Sequence, residues 1–254
     1  MEQERESEKK QEFDEIKSQF GNSIYPFVAV KNLSRDFEIG EYIVQAIQDV
    51  SLEIKEHEYV AIIGASGAGK TTLLHIIAGL DKATKGQIYV SHVDISPMET
   101  ESLSIFRIFN IGLVFQNYNL ISSLSALENV MFPLQLSGCK HKKCEERAKE
   151  LLQQVGLQER AEHLPFQLSA GEQQRVAIAR ALANDPPIII ADEPTANLDK
   201  KNAEYIAKLF EKLRQEGKTV IVATHEDSLI KQAHRIIEME EGKIVKDTQI
   251  SSIN

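Results

Sequence analysis

The first residues with evident chemistry form a glycine-rich run that ends in Lys-Thr, fits the pattern G-x-x-x-x-G-K-[ST] and lies between an apolar segment and a helix-like stretch. Glycines let the backbone wrap around a phosphate with its N–H groups pointing inward, and the following helix presents its positive N-terminus to the anion. The lysine can contact β- and γ-phosphates, and the threonine hydroxyl can contact Mg²⁺. The run comprises Gly64, Ala65, Ser66, Gly67, Ala68, Gly69, Lys70 and Thr71, with Thr72 next. By itself it predicts binding of a nucleoside triphosphate and leaves kinases, GTPases and ATPases open.

A second chemical feature is an apolar segment, residues 188–191, that ends in Asp192 and Glu193. An aspartate at this position would hold Mg²⁺ directly or through water, and the next carboxylate is placed to polarise an attacking water molecule. Alternatively, the acidic pair merely ends a strand at the surface. Its occurrence together with the glycine-rich loop favours the magnesium interpretation.

A third feature opens an alanine-rich helix at residues 168–175. Ser169 and Glu172 have the S-x-x-E spacing of a capping box, which is a complete structural explanation of both residues. The N-terminus of such a helix also attracts anions, so the same run is a candidate second phosphate site, directed outward.

Alternating strands and helices must position these residues. The apolar patterns predict strands at 27–30, 50–54, 59–63, 111–115, 188–192 and 220–223, and a hairpin formed by 234–239 and 243–247. They predict helices at 69–79, 125–131, 142–155, 171–183 and 200–215. This order indicates an α/β fold with a twisted, mostly parallel sheet and helices on both faces. A small β-rich start and a helical insertion at about 117–183 are added to it.

The N-terminal 26 residues differ from the rest, which we assign to one domain at 27–254. Residues 2–17 hold seven acidic and four basic residues, with Phe13 and Ile16 as their apolar members. This composition predicts a charged tail or a solvated helix outside the core.

Charge and hydropathy exclude some classes of protein. The chain has 254 residues and a net charge of −9, which counts against nucleic-acid binding, because affinity for phosphate comes mainly from Lys and Arg. No apolar run approaches the length of about 18–20 residues that is needed to cross a bilayer. The first residues also lack the apolar core of a signal peptide. A soluble, intracellular protein is therefore expected.

Residues 168–175 resemble the signature motif of the ATP-binding cassette (ABC) ATPases, and further motifs of that family occur in the expected order. Gln116 matches the glutamine of the Q-loop, Asp199 the aspartate of the D-loop, and His225 the switch histidine. Phe37 stands where the family has an aromatic ring that stacks on adenine. The matching motifs extend over most of the chain.

The closer resemblance is to the LolD/MacB/FtsE group, through residues 111–121, 128–130 and 174–183. The chain departs from the family pattern at four positions without losing a catalytic group. Ala170 replaces the first glycine of the signature, Glu172 replaces the commoner glutamine, and Phe37 replaces the usual tyrosine. His57 stands where a glycine is usual.

The resemblance implies a P-loop NTPase fold, with a RecA-like, mostly parallel core, an N-terminal antiparallel β subdomain and an inserted α-helical subdomain. It also implies a homodimer arranged head to tail. Each ATP would lie between residues 64–72 of one chain and Ser169 and Gly171 of the other.

The resemblance also implies roles for single residues in ATP hydrolysis. Glu193 would be the catalytic carboxylate, His225 would contact the γ-phosphate and hold the water, and Lys70 would bind the phosphates. The shell of Mg²⁺ would include Thr71, Gln116 and Asp192. Phe37 would contact the adenine, and Asp199 would signal across the dimer.

A protein of this class without a membrane span is expected to drive a separate membrane permease of the export, envelope-remodelling or lipoprotein-release type. Its expected location is cytoplasmic, peripheral on the inner face of the cell membrane. Residues 117–136 are the candidate contact region, where Tyr118, Leu120, Leu124 and Phe132 form either an apolar docking groove or part of the core. The alternative function is that of a soluble ABC ATPase in DNA maintenance or translation. A non-hydrolysing scaffold is disfavoured by the acidic pair after residue 191.

The chain's two cysteines flank a lysine-rich run that includes His141. Cys139, His141 and Cys144 are three potential soft ligands, but a zinc site needs a fourth ligand and fixed geometry. The run therefore favours a solvated loop over a zinc site.

Overall fold

A computed structural model describes residues 2–250, with side chains from residue 7 onward. The helices are α1 (Glu2–Phe20), α2 (Lys70–Ile77), α3 (Thr100–Asn110), α4 (Ala126–Leu136), α5 (His141–Gln154), α6 (Ala170–Ala181), α7 (Lys200–Gln215) and α8 (Asp227–Ile230). The strands are β1 (Val28–Ile39), β2 (Tyr42–Ile54), β3 (Tyr59–Ile63), β4 (Lys85–Val90), β5 (Val93–Asp94), β6 (Ile111–Val114), β7 (Ile188–Asp192), β8 (Thr219–Ala223), β9 (Arg235–Glu240) and β10 (Lys243–Gln249). Single 3₁₀ turns occur at Gln158–Arg160 and Pro165–Gln167.

The larger sheet has the order β10-β9-β3-β8-β7-β6 and is parallel except for β10, which pairs antiparallel with β9 at one edge. Strand β3 is inside this sheet and buried on both faces. Tyr59 and Ala61 belong to one apolar cluster, whereas Val60 and Ile62 belong to the other. Burial on two faces explains why these strands read as continuous apolar runs. The predicted α/β fold is confirmed.

The smaller sheet is antiparallel, with the order β2-β1-β4-β5. Leu33, Val50 and Ile54 turn from it into the same cluster that covers one face of the larger sheet. The sequence predicted the start of β1, at 27–30, and the end of β2, at 50–54, which pair with each other, but both strands are much longer. They form a hairpin whose tip exposes Tyr42 and Ile43.

Three helices, α4, α5 and α6, lie in the chain between β6 and β7 and pack against one another. They correspond to the helices predicted at 125–131, 142–155 and 171–183. Helix α4 begins with a capping box in which Ser125 and Glu128 bond each other's backbone N–H groups. Such a box fixes the helix start, because it satisfies two N–H groups that lack partners inside the helix.

The expectation that the N-terminal segment lies outside the core is wrong. The segment is a helix, α1, and it packs against α3. The ring of Phe13 stacks on Phe109 at a centroid distance of 4.8 Å, and Ile16 is buried within an apolar cluster that also includes Phe106. Between residues 8 and 17 the charged side chains of α1 are exposed or half-buried, so the composition of the segment concealed a narrow apolar stripe.

The favoured solvated loop at the cysteines is also wrong. His141 begins α5, and Cys144 is buried in the helical core, where its thiol donates to the carbonyl oxygen of Cys139 at 3.1 Å. No three His, Cys, Asp or Glu side chains are grouped as metal ligands anywhere in the part of the chain that the structure describes. Among residues 2–250, no helix combines the length and the apolar character needed to cross a membrane.

Candidate functional site

The glycine-rich loop connects the end of β3 to the start of α2, as predicted. Its last glycine, Gly69, has φ +98° and immediately precedes the helix. A Cβ atom at this position would lie 2.6 Å from the carbonyl oxygen of Ala46, so side chains are excluded by backbone. The loop is therefore held closely against β2, and its curvature depends on glycine.

Lys70 is buried at the start of α2 and turns back into the loop. Its Nζ donates to the carbonyl oxygens of Gly64 at 2.8 Å and Ala65 at 3.0 Å. The ammonium group thus lies inside the ring of backbone that would surround a phosphate. Carbonyl dipoles are weaker partners for an ammonium than phosphate oxygens, so a phosphate can compete for this lysine.

Thr71 and Asp192 come together although they are far apart in the chain. The Thr71 hydroxyl donates to Oδ1 of Asp192 at 3.2 Å. Burial raises the pKa of Asp192, and the hydrogen bond from Thr71 opposes this effect only in part. A hydroxyl and a carboxylate at the edge of the loop are hard oxygen ligands, and this donor set suits Mg²⁺.

Glu193 follows β7 and its carboxylate is largely buried, with a side-chain exposure of 17%. Its backbone has φ +44°, an uncommon conformation for a non-glycine residue, and its N–H donates to the carbonyl oxygen of Ala223 at 2.9 Å. Nδ1 of His225 lies 3.0 Å from Oε2 of Glu193. The side chain of His225 is 72% exposed, so the pair consists of a largely buried carboxylate and a solvent-exposed imidazole ring.

Lys70, Thr71, Glu193 and His225 line one cavity of about 690 Å³. Its walls include the residues predicted at 64–72 together with Gln116, Glu193 and His225. The sequence therefore predicted most of the wall that carries charge and hydroxyl groups. Further lining residues were not predicted, namely Val44, Gln45, Ala46, Gln48, Ala196 and Glu241.

The segments that contribute the unpredicted lining residues support the glycine-rich loop through backbone hydrogen bonds. The N–H of Gly242 donates to the carbonyl oxygen of Ala68 at 3.0 Å, and the N–H of Gln48 donates to the carbonyl oxygen of Gly242 at 2.9 Å. Backbone groups are the same in every residue type, so no side-chain pattern reports this contact. The one usable signal was the turn predicted at 241–242.

Asp192, which contacts Thr71, is not among the lining residues, and four further predicted residues also lie outside the lining. Phe37 is on β1, where the guanidinium of Arg35 lies 4.3 Å from its ring centroid. Ser169 is the N-cap of α6, and Gly171 is buried in the first turn of that helix. Asp199 is the N-cap of α7, accepting from the N–H of Asn202 at 2.8 Å. The chain by itself does not bring these four residues onto the glycine-rich loop.

Comparison with known proteins places the chain in a family. A family model described as ABC transporter matches residues 47–196. An uncharacterized ABC transporter ATP-binding protein of Thermotoga maritima is 50% identical over 208 residues, covering 82% of this chain and 89% of that protein. The macrolide export ATP-binding/permease protein MacB of Escherichia coli K12 is 42% identical over 222 residues, which cover 87% of this chain but 34% of MacB.

Solved structures agree with the sequence comparisons. The dimeric cassette MJ0796, solved in a post-hydrolysis state with ADP and Pi, is similar to this chain with a TM-score of 0.84 and 43% identity. The match covers 89% of this chain and all of that one. MJ0796 is a protein of Methanocaldococcus jannaschii.

The chain belongs to the ABC transporter family, as an ATP-binding and ATP-hydrolysing subunit. The predicted family, fold and ATPase class are confirmed, and the relation to MacB agrees with the predicted group. The roles of individual residues stay predictions.

Proposed function

We propose that two copies of this chain bind two ATP molecules between them, head to tail, and that hydrolysis releases the pair. The observation that carries this proposal is the cavity lined by the Lys70 loop with Thr71 and by the Glu193–His225 pair, with Asp192 hydrogen-bonded to Thr71. Ser169 and Gly171 lie outside it, so a second copy would have to supply them. The dimeric structures of the relative MJ0796 support this arrangement.

The chemistry follows from where each group lies. Lys70 and the backbone of the loop would bind the β- and γ-phosphates, and Phe37 would contact the adenine from the side opposite Arg35. Glu193 would accept a proton from a water molecule aligned with the γ-phosphate. His225 would fix the position of the Glu193 carboxylate relative to the γ-phosphate, since its ring contacts Glu193. Asp199 would pass the state of one site to the other copy.

Mg²⁺ fits the donor set at the edge of the loop. Thr71 and Asp192 would hold it, and Gln116, which lines the same cavity, would complete the protein side of its shell. Bound there, it would neutralise charge that develops on the phosphates.

A separate membrane permease is the proposed partner. A groove of about 540 Å³ runs between α3, α4 and the segment after β6, with Phe132 and Leu136 exposed along it. Of the four residues predicted for docking, Phe132 lines this groove, whereas Leu120 packs against the core. MacB is named as an ATP-binding/permease protein, and this chain matches a third of its length, which supports a permease as the partner of the ATPase. The proposed location is therefore the inner face of the membrane.

The groove is joined to the catalytic cavity by a short path. Arg180 lines the groove and donates to the carbonyl oxygens of Tyr118, at 2.7 Å, and Asn119. Gln116, two residues earlier, lines the catalytic cavity. A partner bound in the groove can therefore change the position of Gln116.

The decisive test is Glu193→Gln. This variant should keep ATP affinity, lose turnover by at least about a hundredfold, as expected when a positioned base is removed, and accumulate as an ATP-bound dimer in sedimentation experiments. Thr72→Ser, which retains a hydroxyl on the loop, is a matched conservative control that should keep turnover. Normal turnover by Glu193→Gln would overturn the assignment of the carboxylate.

A further inference from the structure

Gly171 is enclosed by its own chain. A Cβ atom built on it would lie 2.5 Å from Oδ1, 2.6 Å from Cγ and 3.0 Å from Nδ2 of Asn202, which belongs to the first turn of α7. The preceding residue, Ala170, is exposed and carries its methyl group toward solvent. The two positions of the signature thus differ: the first accommodates a side chain within the chain, and the second does not.

Moving the side chain of Asn202 aside would break its hydrogen bonds. Its Oδ1 accepts from Nη1 of Arg175 at 3.2 Å, and its Nδ2 donates to Oδ2 of Asp199 at 2.8 Å. Its backbone N–H donates to the other oxygen of the same carboxylate at 2.8 Å. The guanidinium of Arg175 lies in turn 5.5 Å from the ring centroid of Tyr205. The amide is therefore held from both sides.

These contacts join the starts of two helices. Ser169 is the N-cap of α6 and Asp199 is the N-cap of α7, and both residues are proposed to face the second copy in the ATP-bound dimer. We propose that Asn202 is a positioning residue that fixes the start of α6 against the start of α7, and that this contact is why residue 171 is glycine. The inference rests on the proposed head-to-tail dimer.

The competing explanation places the cause in the other copy. If Gly171 is glycine because a phosphate bound to the second copy needs the room, Asn202 is irrelevant to the substitution Gly171→Ala. If the cause is Asn202, shortening this side chain releases the added methyl group. The two explanations therefore predict opposite behaviour of the double variant.

The test is a double-mutant cycle in the Glu193→Gln background, with the ATP-driven dimer dissociation constant measured by analytical ultracentrifugation. Gly171→Ala should weaken dimerisation by about tenfold or more, a typical coupling between residues in contact. Asn202→Ala should weaken it a few-fold. The double variant should be no weaker than Asn202→Ala alone. Penalties that multiply in the double variant would overturn the inference.

Asn202→Leu is the matched control, because leucine keeps a branched side chain of similar shape without adding a charge beside Asp199. It should leave the penalty of Gly171→Ala in place, since the space is still filled. Rescue by Asn202→Leu as complete as that by Asn202→Ala would contradict a steric cause. ATP binding by each monomer, which uses the glycine-rich loop, should change by less than about twofold throughout.

Measuring the same double-mutant cycle by urea unfolding distinguishes failure of the proposed function from failure of the Gly171–Asn202 contact. If the Glu193→Gln parent does not dimerise with ATP, the proposed function fails, and the contact is judged by stability alone. Gly171→Ala should then destabilise the chain in the presence of Asn202 and have little effect beside Asn202→Ala. Equal destabilisation in both backgrounds would refute the contact as the reason for the glycine.

Discussion

At the scale of single residues, the buried ammonium group of Lys70 is the central feature of the site. The carbonyl oxygens of Gly64 and Ala65 hold it inside the glycine-rich loop. The loop therefore keeps its cation in place before any phosphate arrives, and little reorganisation is needed on binding. Interactions that are organised in advance contribute more to affinity than those that must be ordered.

Replacing Lys70 with alanine should reduce ATP affinity by about tenfold or more, because charge-assisted hydrogen bonds to phosphate are lost. Equilibrium binding of a fluorescent ATP analogue measures the effect. Lys55→Ala, which removes an exposed lysine outside the cavity, is the control and should bind normally. Unaltered affinity in Lys70→Ala would contradict the proposed role of the loop.

At the scale of elements, α1 is the helix that the charge of its sequence placed outside the core. It packs on the Phe106 and Phe109 side of α3, whereas Ser104, Arg107 and Ile108 of α3 line the proposed docking groove. Helix α3 therefore lies between α1 and the groove. Detachment of α1 from α3 would therefore affect the side of the groove that α3 forms.

Ile16→Ala tests how firmly α1 is attached. Ile16 is buried near the edge of its cluster, so the loss should be about 2 kcal/mol of unfolding free energy, at the low end for such truncations. Urea unfolding at equilibrium measures it. Ser18→Ala, on the exposed side of the same helix, should change the value by less than about 0.5 kcal/mol. Equal stabilities of the two variants would show that α1 contributes little.

The β9–β10 hairpin carries an ion pair with a pH signature. Arg235 donates to both carboxylate oxygens of Asp247, at 2.7 Å and 2.6 Å, and these bonds lower the pKa of Asp247. Because the pKa falls on folding, the pair stabilises the fold above the pKa of the unfolded carboxyl. The contribution is lost as the pH falls through the lower, folded value.

Asp247→Asn should therefore lower the unfolding free energy by about 1 kcal/mol at pH 7, a value limited by solvent screening of this partly exposed pair. The gap from the unmodified chain should shrink as the pH falls below about 4. Equilibrium urea unfolding at pH 7 and pH 3 measures this gap, and Asp14→Asn, at an exposed position of α1, is the control. A gap of the same size at both pH values would contradict the ionic origin.

At the scale of the whole molecule, the proposed site is complete only in a pair of chains. Ser169 and Gly171 lie outside the cavity that contains Lys70 and Glu193. In a head-to-tail pair, each chain would supply what the other lacks. The stability of the ATP-bound state is then a property of the dimer and depends on protein concentration.

Thermal unfolding of Glu193→Gln makes this dependence measurable. With saturating ATP, a tenfold increase in protein concentration should raise the Tm by about 2 °C, because dissociation accompanies unfolding. Calorimetry at two concentrations measures the shift. With ADP in place of ATP the Tm should not depend on concentration. A concentration-independent Tm with ATP would point to a monomeric ATP complex.

Much of the fold and of the cavity could be predicted from the sequence, for physical reasons. Strands β3, β7 and β8 are buried on both faces, so they appear as uninterrupted apolar runs, and the chemical residues follow them directly. Helices α3 and α8 and strands β4 and β5 were not predicted; β4 is partly exposed, and β5 and α8 are very short.

Other features left weaker traces in the sequence. Phe13, Ile16 and Phe20 follow a helical spacing of three and four residues, but charged neighbours dilute the signal. The carbonyl of Ala46 that fixes Gly69 leaves no side-chain trace at all. The contact between Gly171 and Asn202 joins residues of two helices, and only the three-dimensional structure shows it.

The central position of β3 has a consequence for the time course of motion in this protein. Its neighbours β8 and β9 pair with it from both sides, and its own side chains are buried above and below. Amide protons of such a strand exchange with solvent only when the whole domain opens. The glycine-rich loop is thus anchored to a strand whose amides should be among the slowest to exchange, and such a strand would keep the loop in shape through repeated association and release of the proposed dimer.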